Sequence, residues 1–269
     1  MEEINCYLCG QKDERFLLTG RDRLGIKGEF TLVQCRRCEL IYLNPRPTLA
    51  TLCRHYPEDY YTHFPYLVPK EILRGASFRH RFLRKLWLAA EQQRVRGIER
   101  VHPLHGRTQV LDVGCGAGFF LYALRQAKGI EGIGVELSPE TTAFCRTHLG
   151  FDVRIGTLPA QEFPDCAFDV VTMFHYFEHE IYPLRILSET RRVLKKDGSL
   201  VLELPNAGSA LFKMFKGCSR TWEIPRHVVH YTLKTITEML KRGGFEVVAV
   251  KPTLPNAMRI YARPVTRNT

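Results

Sequence analysis

Residues 108–129, TQVLDVGCGAGFFLYALRQAKG, constrain the fold of this chain more than any other stretch. An apolar run, Val110 to Val113, leads into three glycines spaced Gly114-x-Gly116-x-Gly118, and a helical pattern starts at about Phe119. Glycine is needed where a backbone turns sharply between strand and helix and where a ligand must touch that backbone. An acid, Asp112, precedes the turn, and the spacing is one residue shorter than the G-x-G-x-x-G dinucleotide fingerprint. A second run, Gly132 to Glu136, ends on an acid, and a carboxylate at such a strand end can accept from both hydroxyls of a ribose. Ser138-Pro139-Glu140 then supplies an N-cap, a proline at the first helical position and an acid in the first turn.

From residue 108 onward apolar runs alternate with helical stretches, the pattern of an α/β parallel sheet. Strands are expected near 110–113, 132–136, 151–155, 169–173, 199–204, 245–250 and 257–262. The expected organisation is a module over 1–43, a helical connector over 44–107 and the α/β domain over 108–269.

The runs LDVGCGAG (111–118) and GVELSP (134–139) resemble the class I S-adenosylmethionine-dependent methyltransferases. FDVVTMFHYFEH (168–179), LKKDGSLVLELPN (194–206) and GGFEVV (243–248) extend the resemblance over roughly 108–263. It implies a Rossmann-like seven-stranded sheet whose last strand is antiparallel, with S-adenosyl-L-methionine as cofactor. Carried over, Asp112, Gly114, Cys115, Gly116 and Gly118 would hold the methionine part and Glu136 the ribose. Leu137 would pack on the adenine, Thr157 and Leu158 would contact that ring, and Phe174 and His175 would lie beside the methyl group. FHYFEHEIYP and PRHVVHYT (225–232) resemble segments of ubiquinone-pathway-like methyltransferases. Four cysteines at the N-terminus, Cys6, Cys9, Cys35 and Cys38, ahead of such a domain resemble the ribbon of deoxysugar-pathway C-methyltransferases and also that of a ribosomal RNA guanine methyltransferase group.

Methyl transfer from a sulfonium needs alignment above all, and a base when the acceptor is a hydroxyl or a carbon acid. Histidine suits that task near neutral pH. The candidates are His230, His179 and His227, in that order, with Glu178 as the carboxylate alternative. His175-x-x-Glu178-His179 also has H-x-x-E-H metal spacing.

Four of the nine cysteines stand at the start: Cys6-x2-Cys9, a gap, then Cys35-x2-Cys38. Two such knuckles suit tetrahedral zinc, and a closed four-thiolate set makes the ion structural. An iron–sulfur cluster would use the same ligands. So short a segment buries too little apolar surface to fold unaided. Cys53, Cys145, Cys166 and Cys218 read as scattered buried thiols.

Between module and domain, residues 44–70 are rich in proline and aromatics, which predicts loops and short helical pieces. Residues 74–107 read as a basic helix with nine Lys or Arg against two acids, and with an apolar stripe of Phe78, Phe82, Leu83, Leu86 and Ala90. Much of the net charge of +11 is therefore local. Such a helix can meet RNA, an anionic surface or a phosphorylated substrate. No run of about 18 apolar residues spans a membrane and the acidic N-terminus is unlike a secretion signal, so a cytoplasmic protein is expected. The leading expectation is methylation of a hydroxyl or carbon on a small or carrier-linked acceptor. The alternative is an RNA methyltransferase gripping RNA through the ribbon and the basic connector.

Overall fold

The computed structural model describes residues 1–56, 78–214, 222–253 and 256–265. Two compact units divide the chain. One holds Met1–Pro57, His175–Arg191 and Leu202–Thr269, and the other holds Glu58–Phe174 and Arg192–Val201. The units cut across the three segments expected from the sequence.

The first unit begins with strands β1 (Glu14–Arg21), β2 (Glu29–Cys35) and β3 (Ile41–Leu43), followed by a short helix α1 (Leu49–Cys53) capped by the Thr48 hydroxyl. β1, β2 and β3 pair antiparallel in turn. Leu32, Leu40, Tyr42 and Leu43 are fully buried between them. Both Cys-x2-Cys pairs close tight turns, with Gly10 N–H on the Cys6 carbonyl and Glu39 N–H on the Cys35 carbonyl.

The second unit carries the long helix α2 (Phe78–Glu99), strand β4 (Val110–Val113), helix α3 (Phe119–Lys128) and strand β5 (Ile133–Glu136). Helix α4 (Pro139–Phe144), strand β6 (Val153–Ile155) and strand β7 (Phe168–Phe174) follow. β4 is buried along its whole length, as a central parallel strand covered on both faces must be. It pairs parallel with β5 and β7, and β5 pairs parallel with β6. The Ser138 hydroxyl caps α4 by accepting from Thr141 N–H at 3.1 Å, as its sequence signal required.

Helix α5 (Pro183–Val193) leads into β8 (Leu194–Pro205), and helix α6 (Ala210–Met214) follows. A two-residue strand β9 (Val229–His230) precedes helix α7 (Leu233–Arg242), which has a reciprocal Thr232/Thr235 capping box. β10 (Phe245–Thr253) and β11 (Ala257–Pro264) form an antiparallel pair. The seven-stranded sheet has the order β10-β11-β8-β7-β4-β5-β6, and all seven expected strands are in it. A second sheet has the order β1-β2-β3-β9, with Ile41 opposite His230 and Tyr42 opposite Val229. The chain's N-terminal ribbon thus takes its fourth strand from the 225–232 segment.

Two sequence expectations need correction. On α2, Phe82, Leu86 and Ala90 of the expected apolar stripe are exposed, and the buried positions among the described residues are Glu91, Val95, Gly97 and Ile98. The side chains of Phe78 and Leu83 lie outside the described residues. Among the cysteines read as buried thiols, only Cys145 is; Cys53 and Cys166 are exposed, and Cys218 lies outside the described residues. Much of the connector, 57–77, lies outside them as well. Among the described residues no helix is long and apolar enough to cross a membrane.

Candidate active site

The glycine loop between β4 and α3 is a left-handed turn at Gly114, Gly116 and Gly118 (φ 71°, 51° and 73°), a region where a Cβ would be strained. Its Cys115 side chain points inward, and a Cβ on Gly134 of β5 would come within 2.5 Å of that sulfur. Cys115 can therefore offer a ligand only its backbone. Glu136 stands at the end of β5, buried. It accepts from Gly116 N–H at 2.9 Å, Leu137 N–H at 2.8 Å and Ser138 N–H at 3.0 Å, so one carboxylate fixes both the loop and the start of α4. Burial raises its pKa despite those three donors.

Asp112 is buried on β4 and accepts from the Thr172 hydroxyl of β7 at 2.7 Å. Burial pushes its carboxyl up to about 7, with the Thr172 hydrogen bond opposing and the charge of Glu91 adding. A buried acid in that state favours a cationic ligand, since a nearby positive charge would restore its ionised form. Leu137 is half exposed beside Glu136, an apolar side chain open to a flat ring. Leu158 is fully buried, and Thr157 precedes its 3-10 turn. Phe174, at the end of β7, meets Phe120 edge-on at 4.8 Å, with the Arg94 guanidinium 4.4 Å from its ring. Arg94 in turn pairs with Glu91, and Trp87 meets Phe119 edge-on at 4.3 Å. Helix α2 is thus applied to α3, which starts directly after the loop, and to the end of β7. A left-handed glycine cradle, a buried acid wanting a cation and a strand-end carboxylate together fit S-adenosylmethionine.

In the other unit, the residues after β7 gather a set of titratable side chains. His175 adopts a left-handed backbone (φ 53°), a conformation that costs a non-glycine residue about 1–3 kcal/mol and that clusters at functional sites. Its N–H donates to the Glu203 carbonyl at 2.7 Å. Its ring lies 3.4 Å from the Glu178 carboxylate and 3.5 Å from that of Glu203. Glu203 is also held by Arg259 at 2.6 Å.

Glu178 is 2% exposed, and neither of its oxygens has a hydrogen-bond partner among the described residues. His227 Nε2 is 3.8 Å away. Val228 N–H donates to the Glu178 carbonyl and so brings the two segments together. His179 meets His227 edge-on at 4.7 Å, and its Nδ1 contacts the Tyr56 hydroxyl at 2.7 Å and the Arg226 carbonyl at 3.0 Å. Burial lowers the pKa of both imidazoles, and for His227 the neighbouring His179 adds to the shift. His230 lies on β9 against Trp222 at 4.9 Å, and burial pushes it down to about 3. Among the described residues, Glu178, His179 and His227 each bring one ligand atom within 4.8 Å of the others. The sequence spacing had named His175 as the third member of that set, but a short 3-10 turn at Phe177–His179 replaces the helix on which it would have worked.

Beneath this cluster, buried Arg226 binds Asp22 at 3.0 and 3.1 Å and the His55 carbonyl at 2.9 Å, and His55 Nδ1 lies 2.5 Å from Asp22. Burial opposes ionisation of Asp22, but bonds from His55, Leu24 N–H and Arg226 outweigh it and lower its pKa. Asp22 lies outside the sequence motifs, and Arg226, inside PRHVVHYT, is not marked by it.

The four ribbon sulfurs form a second group whose ligand atoms all lie within 4.8 Å of one another. Cys6 and Cys38 are 3.4 Å apart, and Cys9 and Cys35 are 3.5 Å apart. Thiolates on a tetrahedral zinc with bonds of about 2.3 Å lie about 3.8 Å apart, so the set fits that ion.

A family model described as a methyltransferase domain matches residues 76–250. The chain belongs to the S-adenosylmethionine-dependent methyltransferases. A probable S-adenosylmethionine-dependent methyltransferase of Mycolicibacterium smegmatis is 31% identical over 148 residues, 54% of this chain and 54% of that protein. The tRNA U34 carboxymethyltransferase of Aeromonas salmonicida is 37% identical over 116 residues, 40% of this chain and 35% of the relative. The chain thus spans about a third to a half of the length of these curated relatives. Among solved structures, a Thermotoga maritima methyltransferase described as a possible histamine N-methyltransferase is similar at TM-score 0.56 and 19% identity. That likeness covers 79% of this chain and 98% of the other. A methyltransferase from Archaeoglobus fulgidus gives TM-score 0.55 at 23% identity, with 76% and 100% covered. A chain from a Haloferax volcanii complex between the Trm112 activator and a methyltransferase gives 0.53 at 20%, with 67% and 97% covered. The methyltransferase fold and S-adenosylmethionine as methyl donor follow for this chain.

Proposed function

We propose that this methyltransferase acts on a hydroxyl or an acidic carbon of a small or carrier-linked acceptor, of sugar or phenolic type. The cofactor supplies an activated methyl group and a good leaving group. Asp112, Gly114, Gly116 and Gly118 hold its methionine part, with Cys115 contributing backbone only. Glu136 binds the ribose, Leu137 covers the adenine, and Thr157 with the backbone of Leu158 borders that ring. Phe174 closes the end of β7, where the chain runs directly into His175.

Buried Glu178 carries this reading, because neither of its oxygens is hydrogen-bonded among the described residues and imidazoles lie beside it. An unbonded buried carboxylate is costly to keep, and an acceptor with a proton to lose would relieve that cost. Glu178, His179 and His227 form the acceptor-facing set, and His230 positions His227 from β9. The test is transfer of label from S-adenosylmethionine to defined sugar and phenolic acceptors, compared with the Glu178→Gln variant. Equal rates in the two proteins would refute the assignment.

An RNA acceptor is the second reading, favoured by the partial match to tRNA U34 carboxymethyltransferases. In it, the ribbon and the basic residues of 74–107 grip the phosphate backbone. Affinity for bulk tRNA would then fall by orders of magnitude between about 50 and 200 mM salt. Salt-independent or absent binding would exclude it. In both readings the ribbon cysteines hold a structural zinc ion.

A further inference from the structure

We propose that Glu178, His179 and His227 form a second metal site, for a divalent cation of the zinc class, separate from the four-cysteine ribbon. Two imidazoles and one carboxylate are the donor set of many catalytic divalent-metal sites, and three protein ligands leave coordination positions open.

Four observations carry the proposal. One ligand atom from each residue lies within 4.8 Å of the others. Both Glu178 oxygens are buried without a hydrogen bond among the described residues, with the His175 and His227 rings as neighbours at 3.4 and 3.8 Å. The Arg226 carbonyl and the Tyr56 hydroxyl, 3.0 and 2.7 Å from His179 Nδ1, orient that ring, and in the tautomer with the proton on Nδ1 the Nε2 lone pair faces an ion. His227 Nδ1 is a further buried nitrogen without a hydrogen-bond partner among the described residues, and ligation by that nitrogen would satisfy it.

The open positions would take oxygen atoms of the acceptor. That role rests on the transfer reading above, whereas binding of the ion does not.

Cobalt substitution of the full-length protein tests the site. Cobalt on four thiolates gives intense sulfur charge-transfer absorption, which a nitrogen-and-oxygen site lacks. The expected result is two equivalents of Co2+, one of each spectral kind. Glu178→Gln and His227→Ala should each weaken the nitrogen-and-oxygen equivalent by about tenfold or more while sparing the thiolate bands. Intact thiolate bands in Glu178→Gln, which is isosteric, show that the fold is retained. A single equivalent of thiolate type, or variants that bind the second ion as the wild type does, would overturn the proposal. A second ion without methylation of any sugar or phenol would instead count against the transfer reading and leave the site standing.

Discussion

Glu178 and His227 are remote in sequence, yet the carboxylate of one lies 3.8 Å from the ring of the other because Val228 N–H is bonded to the Glu178 carbonyl. The contact joins the segment after β7 to the strand that completes the ribbon sheet. It makes Glu178 the group whose alteration should separate catalysis from cofactor binding. Glu178→Gln is expected to lower kcat by about 10²-fold or more, the usual worth of a proton-handling group. S-adenosylmethionine affinity, measured by calorimetry, should change less than about twofold, because the cofactor contacts proposed above lie elsewhere.

Glu136 should behave in the opposite way. Its three backbone donors tie the glycine loop to α4, and each charge-assisted bond is worth about 1.5–3 kcal/mol. Glu136→Ala should weaken S-adenosylmethionine binding by about tenfold to a hundredfold and lower the melting temperature as well. Unchanged affinity in calorimetry would remove Glu136 from the cofactor site.

Asp112 gives a pH dependence of fixed sign. Its carboxyl is pushed up to about 7 in the fold from an ordinary value of 3.8, so the folded chain holds its proton more tightly than the unfolded chain. Its contribution to stability is therefore complete below pH 3.8 and is lost as pH rises to about 7. Asp112→Asn should flatten that segment of a stability-against-pH profile. A cationic cofactor favours the ionised carboxylate, so its binding should release protons below neutrality. Calorimetry in buffers of different ionisation enthalpy would show the release, and a Thr172→Val variant, lacking the bond to Asp112, should alter it.

The ribbon should matter to the histidine cluster through the backbone it pairs with. β3 pairs with β9 at Ile41 and His230, and buried Arg226 is bonded to Asp22, so the N-terminal segment braces the 226–230 backbone. Cys38→Ser should lower zinc content, melting temperature and methyl transfer together. Full activity in a zinc-free Cys38→Ser protein would show that the brace is dispensable.

What the sequence disclosed follows from how local each signal is. The glycine turn, Glu136, the Ser138 cap and the Cys-x2-Cys knuckles are each written within a few consecutive residues, and each is found where its spacing puts it. β9 is two residues long and exists through its pairing with β3, so no periodicity could announce it. Asp22, His55 and Arg226 meet through long-range packing and leave no pattern. On α2, Phe82, Leu86 and Ala90 of the apolar stripe are exposed. The face that meets α3 includes Trp87, and the buried positions of the helix include Glu91, a residue that hydropathy reads as solvent-facing. His175 was read as a ligand at helical spacing, but its left-handed backbone takes it out of any helix.

The most direct test of the account is to incubate the protein with S-adenosylmethionine carrying a labelled methyl group and separate pools of small metabolites and RNA. The account predicts label in the small-molecule pool, on oxygen or carbon, and its loss with Glu178→Gln. Label confined to RNA, or label in small molecules that survives Glu178→Gln unchanged, would contradict it.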